Sequence, residues 1–186
     1  MRFNFNQEKS TQAAAYLLAL NSGDMDKYLL IKMLYLADRE SLGKWEEPIT
    51  GDSAVSMEYG PVLSTIYDLT KGDCPNSRMY WQRFISDSDE QTNRVFLKAD
   101  PGVDALSKSE TQILHGIYEK FKKFTWRQMK DYCHKLDEYE EVKKTSKPIP
   151  AAKILKAIGK TDKAIEEAEK RIRDEMITDL LLGRAW

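Results

Sequence analysis

The sequence predicts a mainly α-helical fold, a compact helical domain with a small antiparallel β element. Three observations favour this fold. Apolar residues recur at the spacing of a helix face over most of the chain. Capping signals of the Ser/Thr-x-x-Glu/Gln type precede two of these stretches, and glycine or proline ends most of them. Only a few short stretches alternate between apolar and polar residues, as a half-buried strand does.

The first two predicted helices cover the N-terminal quarter of the chain. Asn6 can cap a helix over about residues 7–21, which ends before Ser22-Gly23. Asp24 is predicted to cap a second helix that runs to about residue 42. Residues 28–37 of this helix are apolar on nearly every side, so we place it at the centre of the core.

The middle of the chain carries the predicted β element. Residues 54–59 alternate enough for a short strand, and Gly60-Pro61 is predicted to turn this strand into a helix over about residues 62–70. Proline is tolerated at the first helical position because its missing N–H would have no partner there. Two further strands are predicted at 78–85 and 94–99, joined by a polar, exposed connection.

The second half of the chain is predicted to be helical. Capping boxes at Ser107 and Thr125 begin helices that run to about residues 121 and 135. Two prolines within 147–150 break the chain before a short helix over 151–158. The last helix begins at Thr161 or Asp162 and runs to about residue 182. We therefore expect one domain over residues 1–160 and a C-terminal helix over 161–186, which packs on the domain or on a partner.

Charge and composition exclude several classes of protein. With 29 Lys+Arg against 30 Asp+Glu, the balanced charge disfavours nucleic acid as a partner. No apolar stretch approaches the length of a membrane span, and the N-terminal residues lack the apolar run of a signal peptide. Cys74 and Cys133 are too few for a disulfide framework or a zinc quartet. We expect a cytoplasmic protein without a metal or cofactor.

Few residues are arranged for chemistry. Cys133 and His134 are neighbours on a predicted helix, so their side chains point about 100° apart and make a poor nucleophile–base pair or metal site. His115 stands alone, and we expect no enzymatic activity. Lys32 interrupts the apolar central helix and needs a carboxylate or carbonyl partner if it is buried. A role of Lys32 in facing a ligand stays open. Asp38 is placed to accept from the backbone of the Thr50-Gly51 loop.

Four short segments carry a resemblance to a known family. They are K-M-L-Y-L-A-D-R at 32–39, P-I-T-G-D at 48–52, M-E-Y-G-P-V at 57–62 and I-Y-D-L at 66–69. In this order and spacing they resemble the Panacea domain of the SocA-like antitoxin family, whose members are often described as phage-associated proteins. A weaker similarity extends over about residues 7–170. The chain departs from the family pattern at Met33 for leucine, Cys133 for threonine and Tyr139 for tryptophan.

The resemblance implies an antitoxin of a type II toxin–antitoxin system, which neutralises a cognate protein toxin by direct binding. Two alternatives stay open: a proteolytic adaptor for the toxin, and a transcriptional regulator whose helix at 125–135 reads DNA. Acidic residues around that helix, such as Asp131 and Glu138, would repel phosphates. The residues of the motif, structural or toxin-binding, are Lys32, Tyr35, Asp38, Gly51, Tyr59, Gly60, Pro61 and Val62.

The C-terminal helix provides a second candidate surface. One apolar stripe runs along it through Ile165, Ala168 and Ile172, and the end of the chain is apolar on more than one face. This end is predicted to dock beside the first helix, to bind the toxin or to bind a second copy in a homodimer. The candidate partner-binding residues are Met176, Ile177, Leu180, Leu181 and Trp186.

Overall fold

A computed structural model of the protein describes residues 1, 3–73 and 78–181. The helices are α1 (Gln7–Leu20), α2 (Lys27–Trp45), α3 (Ser64–Lys71), α4 (Arg78–Phe84), α5 (Lys108–Phe121), α6 (Trp126–Cys133), α7 (Ala151–Ala157) and α8 (Asp162–Leu181). The strands are β1 (Asp24–Asp26), β2 (Ala54–Met57), β3 (Gly60–Leu63), β4 (Arg94–Phe96) and β5 (Lys147–Pro148). This architecture confirms the predicted mainly α fold with a small antiparallel β element.

Helix α2 lies at the centre of the fold, as its apolar sequence predicts. Every residue from Leu30 to Asp38 is buried. The helix contacts α5, α1 and α6 as well as strand β3. A helix that is buried on nearly all sides organises the core, so the polar side chains it carries are held in fixed positions.

The strands form two small antiparallel sheets. In one sheet β1 pairs with β4, and in the other β2 lies between β3 and β5. The pairing of β2 and β3 places Ser56 opposite Pro61 and Met57 opposite Gly60. Strand β5 pairs Pro148 with Val55, so the chain returns to the same hairpin about 90 residues later.

The start of α2 differs from the sequence prediction. Asp26, not Asp24, caps the helix by accepting a hydrogen bond from the backbone N–H of Tyr28 at 2.7 Å. Residues 24–26 form β1, and the Asp24 carboxylate binds Arg94 of β4 at 2.6 Å. The pairing partner of β1 lies 70 residues away along the chain, so local capping rules could not reveal it.

The Gly60-Pro61 corner was wrongly predicted as the start of a helix. The two residues begin β3, and α3 starts at Ser64. Proline suits the edge of a sheet for the same reason that it suits the first helical position, its missing N–H. The N-terminus of α3 is capped from a distance, because the Asp52 carboxylate accepts from the N–H groups of Thr65 at 3.2 Å and Ile66 at 2.9 Å.

The predicted strand at 78–85 is also wrong, because most of it forms helix α4. Trp81 and Ile85 are both fully buried at a spacing of four residues, which is the period of a helix. Tyr80 and Phe84 stack at the same spacing, with ring centroids 5.2 Å apart. The second predicted strand is confirmed in part, as β4 over residues 94–96.

The helices of the second half begin where the capping signals predict. Both capping boxes are present, at Ser107 with Glu110 and at Thr125 with Gln128. The Thr161 hydroxyl accepts from the N–H of Ala164 at 3.2 Å at the start of α8. Ile165 and Ala168 are buried, and α8 packs against α7. The first half of α8 therefore docks on the domain through the predicted stripe.

Two findings concern the described part of the chain as a whole. None of its helices is both long enough and apolar enough to cross a membrane. Within the same residues, no group of three or more His, Cys, Asp or Glu side chains is arranged to hold a metal ion.

Candidate functional site

Two motif residues of α2, Tyr35 and Asp38, make buried hydrogen bonds with Glu138 and Thr50, and we call these four side chains the buried polar layer. The Asp38 carboxylate is 5% exposed and accepts from the N–H of Thr50 at 3.0 Å and from its hydroxyl. The predicted contact between Asp38 and the Thr50-Gly51 loop is thus confirmed. Burial raises the pKa of Asp38 to about 7, although the hydrogen bonds from Thr50 oppose this rise.

Gly51 lets the N-terminal segment cross this loop closely. Its φ of +68° is the left-handed region that favours glycine. A Cβ on Gly51 would lie 2.0 Å from the carbonyl oxygen of Asn4, which no side chain could tolerate. The N–H of Asn6 donates to the Thr50 carbonyl at 2.9 Å. Gly51 and Asp38 therefore serve the packing of the loop.

A second buried group joins α2 to the segment after α6. The Glu138 carboxylate is fully buried and accepts from the Tyr35 hydroxyl at 2.8 Å. Arg39 binds both of its oxygens, with Nε at 2.6 Å and Nη2 at 3.2 Å. Burial and then the neighbouring Glu138 raise the pKa of Tyr35 well above its usual value. This fork ties together residues that are about 100 positions apart, and sequence analysis did not identify Glu138.

Lys32 is the buried cation of the motif. It is 2% exposed, and its Nζ donates to the carbonyl oxygen of Pro61 at 2.7 Å. The prediction that a buried Lys32 finds a carbonyl or carboxylate partner is confirmed. Burial lowers the pKa of Lys32 to about 7. The charged form of this amine is therefore less stable in the fold than it is in water.

Gly60 brings the hairpin onto the Lys32 amine and α6. Its φ is +99°, and a Cβ there would lie 3.2 Å from both Lys32 Nζ and Cys133 Cβ. Burial raises the pKa of the Cys133 thiol to about 11, so the thiol is protonated at neutral pH. The His134 ring stacks on Tyr139, with centroids 4.6 Å apart. Cys133 and His134 are thus packing groups around the hairpin.

Three aromatic rings lie together at the tip of the hairpin, and we call them the aromatic face: Tyr28, Tyr59 and Trp126. Their centroids are 6.3 to 6.5 Å apart. Tyr59 is 45% exposed and Trp126 is 41% exposed. The rings come from the start of α2, the β2–β3 turn and the start of α6, so three separate elements fix their positions.

Cations border the aromatic face. Lys130 Nζ lies 5.5 Å from the Tyr59 ring centroid, and Lys27 Nζ lies 5.6 Å from that of Tyr28. The Arg127 guanidinium lies 5.4 Å from the Trp126 ring centroid. At these distances the cations are attracted to the ring faces. The face is therefore apolar at its centre and positively charged at its border.

A cavity of about 430 Å³ opens beside the aromatic face. Tyr28 and Tyr59 form part of its wall, with Tyr67, while Lys32 and Gly60 also line it. Lys144, Thr145 and Ser146 complete the lining from the segment before β5. The cavity thus connects the buried Lys32 amine to the exposed rings.

The structure separates the predicted site residues into three groups. Lys32, Tyr59, Gly60 and Val62 line the cavity, next to Pro61. Tyr35, Asp38 and Gly51 belong to the polar layer and its loop. Ile177 is 56% exposed on α8. Trp186 and the side chains of Met176, Leu180 and Leu181 lie outside what the structure describes.

Sequence analysis missed the aromatic face, although one signal was available. Trp126 is the first residue after a capping threonine, a position that is exposed on most helices because it has no preceding turn to pack against. Tyr28 occupies the equivalent end of α2, two residues after its cap. Their approach to Tyr59 depends on the tertiary fold.

Comparison with known proteins identifies the family. The family model described as "Antitoxin SocA-like, Panacea domain" matches residues 30–140, more than half of the chain. No curated protein and no solved structure gives a significant match. The matched residues contain most of α2, the β2–β3 hairpin, Trp126 and Glu138, whereas Tyr28 and the cavity lining at 144–146 lie outside the match. The chain therefore belongs to the SocA-like antitoxin family with a Panacea domain.

Proposed function

We propose that the protein is the antitoxin of a type II toxin–antitoxin system and that it neutralises a protein toxin by direct binding. Membership of the antitoxin family supports the role. The aromatic face is the observation that supports direct binding, because exposed tryptophan and tyrosine with arginine are the residues that most often dominate protein interfaces.

The aromatic face suits a binding surface for a second reason, its rigidity. Gly60 packs on α6, while Tyr59 contacts Tyr28 and Trp126 edge-on. Rings that are already fixed lose little conformational entropy when a partner covers them. We propose that the toxin covers Tyr59 and Trp126.

The polar groups of the motif support a binding role without catalysis. The carboxylates of Asp38, Asp52 and Glu138 are each engaged by hydrogen bonds that hold parts of the fold together. We propose that the protein has no enzymatic turnover of its own. A purified protein that converted a substrate, and lost that activity in Asp38→Asn while remaining folded, would contradict this part of the proposal.

The test is co-expression with the product of each adjacent reading frame in a bacterial host. Wild-type protein should restore growth against one of these products and bind it in purified form. Trp126→Ala should weaken that binding by about 30-fold, the value of a strong interface residue. Trp45→Ala is the matched control, since Trp45 is 47% exposed at the end of α2. Equal binding by both variants would contradict the proposed surface, and rescue from no adjacent product would contradict the function.

Two further arms test the proteolytic adaptor and the C-terminal surface. Neutralisation that disappears in a host without its cytoplasmic proteases would identify a proteolytic adaptor instead of a blocking antitoxin. Deletion of residues 175–186 tests the C-terminal surface, for which the exposed Ile177 is the described residue. If this deletion, and not Trp126→Ala, abolishes binding of a folded protein, the toxin binds α8.

A further inference from the structure

The cavity beside the aromatic face ends at an amine whose hydrogen bonding is incomplete. An ammonium has three N–H donors. Within the described residues, Lys32 makes one hydrogen bond, to the Pro61 carbonyl at 2.7 Å. Its side chain is 2% exposed, so bulk water has little access to the other two donors. A buried cation in this state gains from any acceptor that enters the cavity.

The charges around Lys32 leave it without a carboxylate partner in the part of the chain that the structure describes. The titratable group that acts on its pKa is the Cys133 thiol, which is protonated at neutral pH. Glu58 lines the cavity but is exposed, and Lys144 lines the same cavity. Two lysines and one glutamate therefore line the cavity, while Lys27, with Asp26 beside it, and Lys130 lie over the adjacent rings. The cavity therefore favours an anionic occupant.

The shape of the cavity indicates where such an anion comes from. Tyr28 and Tyr59 belong both to its wall and to the aromatic face. Gly60 lacks a side chain at the point where a Cβ would lie 3.2 Å from Lys32 Nζ, so the hairpin does not cover the amine with a side chain. A protein that covers the rings can therefore extend one side chain into the cavity.

We propose that the cavity receives an aspartate or glutamate side chain of the partner protein, whose carboxylate pairs with Lys32 Nζ while the partner covers the aromatic face. This inference rests on the proposed function for the identity of the partner. It adds the chemistry of the contact: one acidic side chain of the toxin, inserted between Tyr28, Tyr59 and the segment at Ser146.

The pairing has a spectroscopic consequence. An entering carboxylate stabilises the charged amine and raises the pKa of Lys32 from its value of about 7. The titratable groups that line the cavity or lie beside this amine are Tyr28, Glu58, Tyr59, Tyr67, Cys133, His134 and Lys144. A pH titration of the Lys32 Cε resonance measures the shift directly. An amine with only a structural role would keep its pKa when the probe is added.

The experiment uses the full chain and two short peptides as probes, acetyl-Ala-Glu-Ala-amide and its glutamine analogue. Binding is measured from the backbone amide resonances of Tyr59, Gly60 and Ser146. We expect the glutamate peptide to bind about tenfold more tightly than the glutamine peptide. It should also raise the Lys32 pKa by about one unit, because a tenfold change in affinity and a shift of one pKa unit correspond to the same free energy. Equal binding of the two peptides, or no binding of either, would overturn the proposal.

Three variants locate the effect. Lys32→Met should abolish the preference for the glutamate peptide, while Lys123→Met removes the same charge from an exposed position and should retain it. Ser146→Trp, at the exposed lining of the cavity, should block entry even if Lys32→Met fails to fold. A glutamate preference that survives Ser146→Trp would place the peptide elsewhere and overturn the proposal.

The peptide experiment contains no toxin, so it fails independently of the proposed function. Rescue from an adjacent toxin together with no glutamate preference would reject the cavity and keep the antitoxin. A glutamate preference without rescue from any adjacent product would keep the cavity and reject the identity of the partner.

Discussion

The buried polar layer and the aromatic face differ in how completely the hydrogen-bonding groups and the surfaces of their residues are engaged within the fold. In the polar layer, Asp38 and Glu138 each accept two or more hydrogen bonds from neighbouring elements. On the aromatic face, Tyr59 and Trp126 keep more than 40% of their surface exposed. Lys32 lies between the two regions, buried but only partly bonded.

This difference separates structural from binding residues within one motif. Groups that satisfy one another maintain the fold and have little left to offer a partner. Large rings held in place but exposed can still bury surface when a partner arrives. Substitutions in the polar layer should therefore reduce stability, whereas those on the aromatic face should spare it.

The largest loss of stability is expected for Glu138→Ala. The substitution leaves the Tyr35 hydroxyl, whose side chain is 1% exposed, without its acceptor and removes the partner of Arg39. Breaking a buried charge pair costs about 3 to 5 kcal/mol, and the partial exposure of Arg39 points to the lower end. Urea denaturation measures the loss. Glu141→Ala, an exposed neighbour, is the control and should change stability by less than about 0.5 kcal/mol. Equal effects would remove the distinction between buried and exposed groups.

A somewhat smaller effect is expected in the pH dependence of stability. Burial raises the pKa of Asp38 from 3.8 to about 7, so between these values the folded protein holds a proton that the unfolded chain has released. Stability conferred by this group therefore falls as the pH rises, by about 2 to 3 kcal/mol from pH 5 to pH 7. Asp38→Asn should remove this component in urea denaturation at several pH values. Parallel pH curves for the variant and the wild type would show that Asp38 is ionised throughout.

The next effect concerns the contact between the hairpin and α6. Gly60 and Gly23 have similar positive φ values, +99° and +91°, but a Cβ added at Gly60 would have neighbouring atoms within 4 Å, whereas one added at Gly23 would not. Gly60→Val should cost more than about 1 kcal/mol beyond the cost of Gly23→Val. The strain of a positive φ is common to both positions, whereas overpacking and the restriction imposed by the following Pro61 affect Gly60 alone. The difference between the two melting temperatures measures it. Equal losses would mean that the hairpin relaxes away from α6 at no cost.

The smallest effect is expected on the aromatic face. Trp126→Ala removes two ring contacts, at 6.3 and 6.5 Å between centroids, from a side chain that is already 41% exposed. The loss of stability should be about 1 kcal/mol, because two ring contacts of a partly exposed side chain, each at the lower end of the range of about 0.5 to 1.5 kcal/mol, add up to this value. A loss as large as that for Glu138→Ala would show that the ring supports the fold, and it would weaken the case for a binding surface.

Sequence alone predicted the features that depend on neighbouring residues. Each of the capping boxes, at Ser107 and at Thr125, spans only four residues. The polar partners of Lys32 and Asp38 were predictable as well, because a charged side chain that is buried in any fold needs a hydrogen-bond partner. The errors arose where a local signal has two meanings. A proline, which has no N–H, fits both the start of a helix and the edge of a sheet. In the structure Pro61 lies in a strand, and the helix begins at Ser64, where Asp52 caps α3 from outside the helix.

The rest of the site could not be predicted because its contacts are long-range. Glu138 meets Arg39 from about 100 residues away, and nothing in the acidic stretch around it distinguishes it from its exposed neighbours. The rings of Tyr28, Tyr59 and Trp126 come from three elements whose approach depends on the packing of α6 against α2 and β3. The four family segments contain Tyr59 but neither Tyr28 nor Trp126.

The two prolines of the three-stranded sheet limit how this protein can assemble with others. Pro61 lies in the outer strand β3, where its carbonyl is taken by Lys32, and Pro148 lies in the other outer strand, β5. Neither residue can donate to a strand laid against it, and β5 has only two residues. Both borders of this sheet therefore resist extension by another chain. Any partner that reaches this hairpin has to recognise side chains and cannot simply add a strand.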